Sequence, residues 1–335
     1  MRNGFFTIGK RVRVGVPRHG ARRRRRTGPV AATWRAQMSA NAAPTRQHDE
    51  RERIPAQLVP PRRRDEGQTV VSWAVARTIA RKTQTKGNRM RTSIEGERAL
   101  VTGAGTGIGA AIAKRLAALG CTVTVVGRTE ARLVETARVC DKAAAEAGFD
   151  THAVVHACDL KDEASILALV EALKEQGGLD ILVNNAAVVQ AGPLEGVATD
   201  EFDAVMATNV RAPFILMRET LPLLRDSKAA EIVNICSVVA HEGYPNQSAY
   251  VASKHALYGL SKSFANEVYD DGVRVHVIAP GGVLTDMVAI TRPDLVGTPM
   301  IVPDDMADAV EYLLCHRTDA VCDEIRLHRV TKAPF

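Results

Sequence analysis

From residue 93 to the C-terminus, short apolar runs rich in β-branched residues alternate with longer amphipathic stretches. Strands joined by helical crossovers must lie parallel, and their helices then cover both faces of the sheet. Strands are predicted over Arg98–Thr102, Cys121–Val126, Thr151–Cys158, Ile181–Asn184, Glu231–Cys236, Val273–Ala279 and Glu324–Leu327. Helices are predicted over Ile108–Leu119, Glu130–Ala147, Asp162–Gln176, about Asp200 to Leu216, a stretch carrying Tyr250 to about Tyr269, and Asp304–Leu314. Gly120 gives the first helix its stop signal. No repeat or linker interrupts residues 93–335. The expected fold is α/β: one doubly wound domain on a parallel sheet of about seven strands.

The connection from the first strand to the first helix reads Thr102, Gly103, Ala104, Gly105, Thr106, Gly107, Ile108, Gly109. Glycines there permit positive φ and let a pyrophosphate approach the backbone and the helix N-terminus. The usual dinucleotide fingerprint fits only as Gly105-x-Gly107-x-x-Ala110, whereas Thr-Gly-x-x-x-Gly-x-Gly fits cleanly through Gly103, Gly107 and Gly109. At the end of the second strand stands Gly127-Arg128, with no carboxylate for a ribose 2′-hydroxyl. A guanidinium suits a 2′-phosphate through paired hydrogen bonds, so NADP(H) is favoured and NAD(H) left open.

Tyr250 and Lys254 are spaced to share one helix face, and Ser237 lies upstream of them. A free phenol has a pKa near ~10, and a neighbouring cation moves it toward the working range. Ser237 can then orient a carbonyl toward the phenol. The pair alone also fits an ordinary helix face; the glycine turn at the front of the same region is what points it toward catalysis.

The formal net charge of +6 hides an asymmetry. Residues 1–92 hold 23 Lys and Arg against 5 Asp and Glu, and the remainder holds 21 against 33. Basicity thus belongs to a head containing Arg22–Arg26 and Arg62–Arg64, which reads as a disordered extension. It fits a start assigned upstream of a natural one near Met90, a real extension, or an organelle-targeting peptide. Nucleic-acid binding is not expected except through this head. The six cysteines show no Cys-x-x-Cys or Cys/His cluster, so free thiols in a reducing, cytoplasmic setting and no metal site are expected. No apolar run is long enough to predict a membrane span.

In order, Thr102–Gly109, Asp159-Leu160, Asn184-Asn185-Ala186, Asn209, Ser237, Tyr250-x-x-x-Lys254 and Pro280-Gly281 resemble the short-chain dehydrogenase/reductase family. The likeness covers nearly all of residues 95–335, points to a Rossmann-type fold, and is strongest to 3-oxoacyl-[acyl-carrier-protein] reductases and their relatives. The resemblance implies hydride transfer between NADP(H) and a ketone, β-ketoacyl or alcohol group. Tyr250 would be the acid/base. Lys254 would bind the nicotinamide ribose and depress the Tyr250 pKa, Ser237 would stabilise the oxygen, and Asn209 would bend its helix and hold a water. Asp159 and Leu160 would meet the adenine, Asn185 and Ala186 the cofactor cleft, and Pro280, Gly281, Val283 and Thr285 the nicotinamide amide. The family also implies a homodimer or homotetramer through the Asp200–Leu216 and Tyr250–Tyr269 helices. Departures are Ala187 in place of a glycine, Val238-Val239-Ala240 after the serine, and Asp323–Leu327 where a Val-Asp-Gly-Gly segment is frequent. The segment after Pro280 is short, so a small lid is expected. Pocket candidates are Val188–Pro193, His241–Gln247 and Thr285–Pro299; a sugar or polyol dehydrogenase and a nucleotide-sensing protein are the alternatives.

Overall fold

The computed structural model describes residues 92–333, and the readings of the basic head fall on residues 1–91, outside them. Seven parallel strands form one sheet in the order β3-β2-β1-β4-β5-β6-β7. They are β1 (Arg98–Thr102), β2 (Thr122–Gly127), β3 (Val154–Ala157), β4 (Ile181–Asn184), β5 (Glu231–Ile235), β6 (Arg274–Pro280) and β7 (Glu324–Leu327). The crossover helices are α1 (Gly107–Ala118), α2 (Glu130–Glu146), α3 (Glu163–Glu175), α4 (Thr199–Met206), α5 (Ala212–Arg225), α6 (Ser248–Glu267), α7 (Asp286–Thr291) and α8 (Pro303–Cys315).

Alternation along the strands explains the two-sided packing. Ala99, Val101, Val123, Val125, Ile181 and Val183 face a core shared with Ile112 and Leu116 of α1, Leu133 of α2 and Val310 of α8. Leu100, Val126 and Leu182 face the other core, with Ile166 and Leu169 of α3 and Ile215 and Leu216 of α5. Each fully buried Leu or Ile contributes about 1.5–3 kcal/mol, and the strands are largely apolar on both faces, with Thr124, Asn184, Glu231, Asn234 and His276 as buried polar exceptions.

Two departures from the sequence reading matter for the site. The single helix expected over Asp200–Leu216 is α4 and α5 joined by a π-helical turn, Ala207–Arg211, closed by Ala212 N–H donating to Ala207 O. One residue too many for an α-helix is accommodated there, and Asn209 sits in the widened turn. The segment after β6 also holds α7 and a short 3₁₀ turn, Pro293–Leu295, both absent from the sequence reading.

Candidate active site

The chain runs outward from β1 to β3, then returns to place β4 on β1's other side. That reversal opens a crevice at the carboxyl ends of the strands, and a cavity of about 490 Å³ occupies it. Gly103, Gly105, Thr106, Gly107 and Ile108 form one wall. Gly103 and Gly107 have φ of 66° and 55°, the left-handed region that favours glycine. The Thr106 side chain does not cap α1, and no acid stands in the helix's first turn, so its N–H groups face the cavity uncompensated. Such an end suits a phosphate group.

Two predicted cofactor residues, Thr102 and Gly109, do not line the cavity. The Thr102 hydroxyl donates to Val183 O and accepts from the N–H groups of Asn185 (3.0 Å) and Ala186 (3.1 Å). It fixes the β4 loop to the glycine turn from behind. A Cβ on Gly109 would lie 2.3 Å from Gly103 O and 2.5 Å from Asn185 Nδ2, so glycine there serves close packing of α1 on the turn. Asn185 and Ala186 do line the cavity, and Asn185 Nδ2 donates to Thr102 O at 2.9 Å.

At one end the cavity is bounded by Arg128, Thr129, Arg132, Asp159 and Leu160. Arg128 and Arg132 are exposed, and neither side chain has a hydrogen bond or ion pair among the described residues. Arg132 was not foreseen; it lies one turn into α2, and its Cβ approaches the site of Gly105. Asp159 Oδ1 accepts from Lys161 N–H at 3.0 Å while its residue borders the cavity.

Ser237, Tyr250 and Lys254 meet at the other end, with Pro280, Gly281, Val283 and Thr285 closing it. Ser237 stands two residues past β5 and caps the 3₁₀ turn Val238–Ala240, accepting from Val239 N–H at 3.3 Å. Lys254 is 2 % exposed. Its ammonium donates to Ile235 O at 2.9 Å and lies 5.6 Å from the Tyr250 ring centroid, with further N–H donors available. Burial pushes the Lys254 pKa down. Burial likewise pushes the half-buried Tyr250 phenol up to about 12, and the Ser237 hydrogen bond draws it back only in part. The spacing leads to an expectation of a lowered phenol pKa, whereas burial shifts it the other way here.

Asn209 is buried and outside the cavity lining. Its Nδ2 donates to Val188 O (2.8 Å) and Ser253 Oγ (3.0 Å), and its Oδ1 accepts from Val188 N–H (2.8 Å). Both amide protons are spent on protein, so the side chain ties the β4 loop to α6. Two pocket candidates are also engaged elsewhere: His241 contacts Glu324, and the Tyr244 hydroxyl accepts from Arg292. Of the other predicted pocket segments, Val188, Thr285, Asp286, Met287 and Val288 do line the cavity, joined by Leu284. Thr208 and Cys236, the neighbours of Asn209 and Ser237 in sequence, also reach the cavity.

Residues 97–295 match the family model described as short chain dehydrogenase. The chain belongs to the short-chain dehydrogenase/reductase family. It is 37 % identical over 221 residues to the uncharacterized oxidoreductase YxjF of Bacillus subtilis, covering 64 % of this chain and 82 % of that one. A metagenomic short-chain oxidoreductase solved in complex with NADP superposes with a TM-score of 0.61 at 35 % identity, over 70 % of this chain and 98 % of that one. The 3-ketoacyl-(acyl-carrier-protein) reductase of Brucella melitensis, solved with NADH, superposes with a TM-score of 0.63 at 30 % identity, over 70 % and 97 % of the chains. As a member of this family the chain is an oxidoreductase of alcohol and ketone groups, and these two solved neighbours hold NADP and NADH. The residues of this chain fit a nicotinamide dinucleotide: a glycine cradle that a Cβ would fill, an uncapped helix end, and Arg128 and Arg132, which have no side-chain partner among the described residues. No helix among the described residues is long and apolar enough to cross a membrane.

Proposed function

We propose that the chain reduces a ketone or β-ketoacyl carbonyl to an alcohol, or runs the reverse reaction, with NADP(H). The observation that carries this is the meeting of Ser237, Tyr250 and Lys254 at one end of the cavity whose other wall is the glycine turn. When bound, NADPH supplies the hydride. The turn would hold its pyrophosphate, Asp159 and Leu160 its adenine, and Arg128 with Arg132 its 2′-phosphate. Pro280, Gly281, Val283 and Thr285 would surround the nicotinamide, and Lys254 would use its remaining N–H donors on the ribose.

The chain's own part is proton handling. A phenol kept protonated by burial donates its proton to the carbonyl oxygen as charge develops there. Ser237 Oγ donates a hydrogen bond to the same oxygen and holds it against Tyr250. In the oxidative direction the phenolate takes the proton back. Asn209 positions rather than reacts, because its amide joins the segment after β4 to the helix carrying Tyr250.

The apolar wall of Val188, Leu284, Met287 and Val288 favours an apolar ketone or acyl chain over a sugar or polyol, whose hydroxyls would meet few partners there. Assembly as a homodimer or homotetramer is part of the proposal; Phe202 of α4 and Phe214 of α5 are exposed on helices the family uses for pairing. The full-length protein should oxidise NADPH with an acetoacetyl thioester or an aliphatic diketone and leave sugars untouched. Turnover of sugars alone would replace this substrate class with the polyol reading. Arg128→Asp should shift the NADPH/NADH affinity ratio about 100-fold toward NADH, the loss of one charge-assisted contact plus a new repulsion. An unchanged ratio in a fluorescence titration would remove Arg128 from the phosphate site.

A further inference from the structure

We propose that Glu324 of β7 is a positioning residue for this reaction: its one carboxylate holds the Ser237 segment and the Tyr250 helix against each other. The inference rests on the acid/base reading above. None of its members touches the cavity, so it is separate from the catalytic set and from the cofactor cleft.

Three elements converge on the carboxylate. His241 Nε2 donates to Glu324 Oε1 at 2.6 Å, and the Tyr258 hydroxyl donates to Oε2 at 3.1 Å. Arg326, two residues along β7, donates from Nε to Oε1 at 2.8 Å and from Nη2 to His241 Nδ1 at 3.3 Å. That last contact fixes the imidazole tautomer. Nδ1 faces a donor and must accept, so the proton sits on Nε2 and points at Glu324. The His241 ring also meets Tyr258 edge-on, with centroids 4.5 Å apart.

Position in the chain gives the bracket its consequence. His241 directly follows the 3₁₀ turn Val238–Ala240 that Ser237 caps, with no flexible residue between. Tyr258 lies two turns along α6 from Tyr250 and one from Lys254, on the same helix stripe. A single acceptor therefore ties both halves of the Ser/Tyr/Lys set to the sheet edge. Burial works against ionisation of Glu324, yet hydrogen bonds from Arg326, His241 and Tyr258 hold its carboxyl below the usual range. The carboxylate is also near enough to Cys236, the residue before Ser237, for its charge to add to the effect of burial on that thiol. The sequence shows His241, Tyr258 and Glu324 at three distant places, each unremarkable alone.

The test uses full-length Glu324→Gln, Tyr258→Phe and the double variant, with Tyr250→Phe as reference. Each is assayed for kcat, KM, NADPH affinity by fluorescence titration, and thermal midpoint. A glutamine offers one acceptor oxygen where the carboxylate offers two to His241, Tyr258 and Arg326. Glu324→Gln should lower kcat about tenfold through misplacement of Ser237 against Tyr250, with NADPH affinity within about twofold of wild type. Tyr258→Phe should lower kcat about threefold, and the double variant should match Glu324→Gln alone, since the surviving oxygen then serves His241. Unchanged kcat in Glu324→Gln overturns the proposal. So do losses that multiply in the double variant, or a lowered midpoint with kcat intact. Should Glu324→Gln fail to fold, Tyr258→Phe with wild-type kcat and NADPH affinity overturns it as well. Full activity in Tyr250→Phe would instead defeat the acid/base reading itself, an outcome distinct from silence at Glu324 beside an inactive Tyr250→Phe.

Discussion

Tyr250→Phe lowers turnover by about a thousandfold, within the range that a positioned general acid contributes, and leaves NADPH affinity near the wild-type value. The substitution removes one oxygen and keeps the ring, which lies 5.6 Å from the Lys254 ammonium. Ser237 and the cavity wall therefore stay in place, and the loss falls on kcat rather than on cofactor affinity. Stopped-flow oxidation of prebound NADPH separates the two. Turnover within about tenfold of wild type would mean that the proton reaches the carbonyl oxygen by another route.

Gly109→Val abolishes NADPH binding and destabilises the fold by about 3 kcal/mol, the upper end for overpacking a site that cannot relax. A Cβ alone would stand 2.3 Å from Gly103 O and 2.5 Å from Asn185 Nδ2. Neither can yield cheaply, because that amide donates to Thr102 O and Gly103 O and so locks the turn to the end of β1. Gly105→Ala is the internal contrast: its Cβ would meet the Cβ of Arg132, an exposed side chain, at 3.2 Å, and φ is unrestricted there. Urea denaturation should show a large loss of stability at Gly109 and a mild one at Gly105. Equal effects would contradict the close-packing account.

Local spacing made much of this legible. The glycine turn, the Tyr250–Lys254 pair and the β1, β4 and β7 boundaries each follow from residues near one another in sequence. The π-helical turn at Ala207–Arg211 was not, because an α-helical period continues through it and only Asn209's contacts with Val188 and Ser253 reveal why it widens. Thr102 and Gly109 belong to the predicted motif but act behind the cavity wall, a distinction that depends on where β4's loop crosses. Arg132, Thr208 and the Glu324 bracket required crossovers that bring distant segments together, which no window of sequence contains. The direction of the Tyr250 shift has a related origin: the spacing shows the cation, while the burial that raises the phenol comes from the whole fold.

The central claim is that one phenol carries the proton in both directions, and kcat/KM against pH for reduction and for oxidation tests it most directly. Burial raises the Tyr250 pKa, so the protonated form needed for reduction persists through neutral pH. The reductive rate should be level on the acid side and fall about tenfold per pH unit above the phenol's pKa. The oxidative rate, which needs the phenolate, should rise with pH and level off at the same point. Both bends should vanish in Tyr250→Phe. Bends that survive the substitution, or two directions that fall together, would contradict the assignment of the proton to Tyr250.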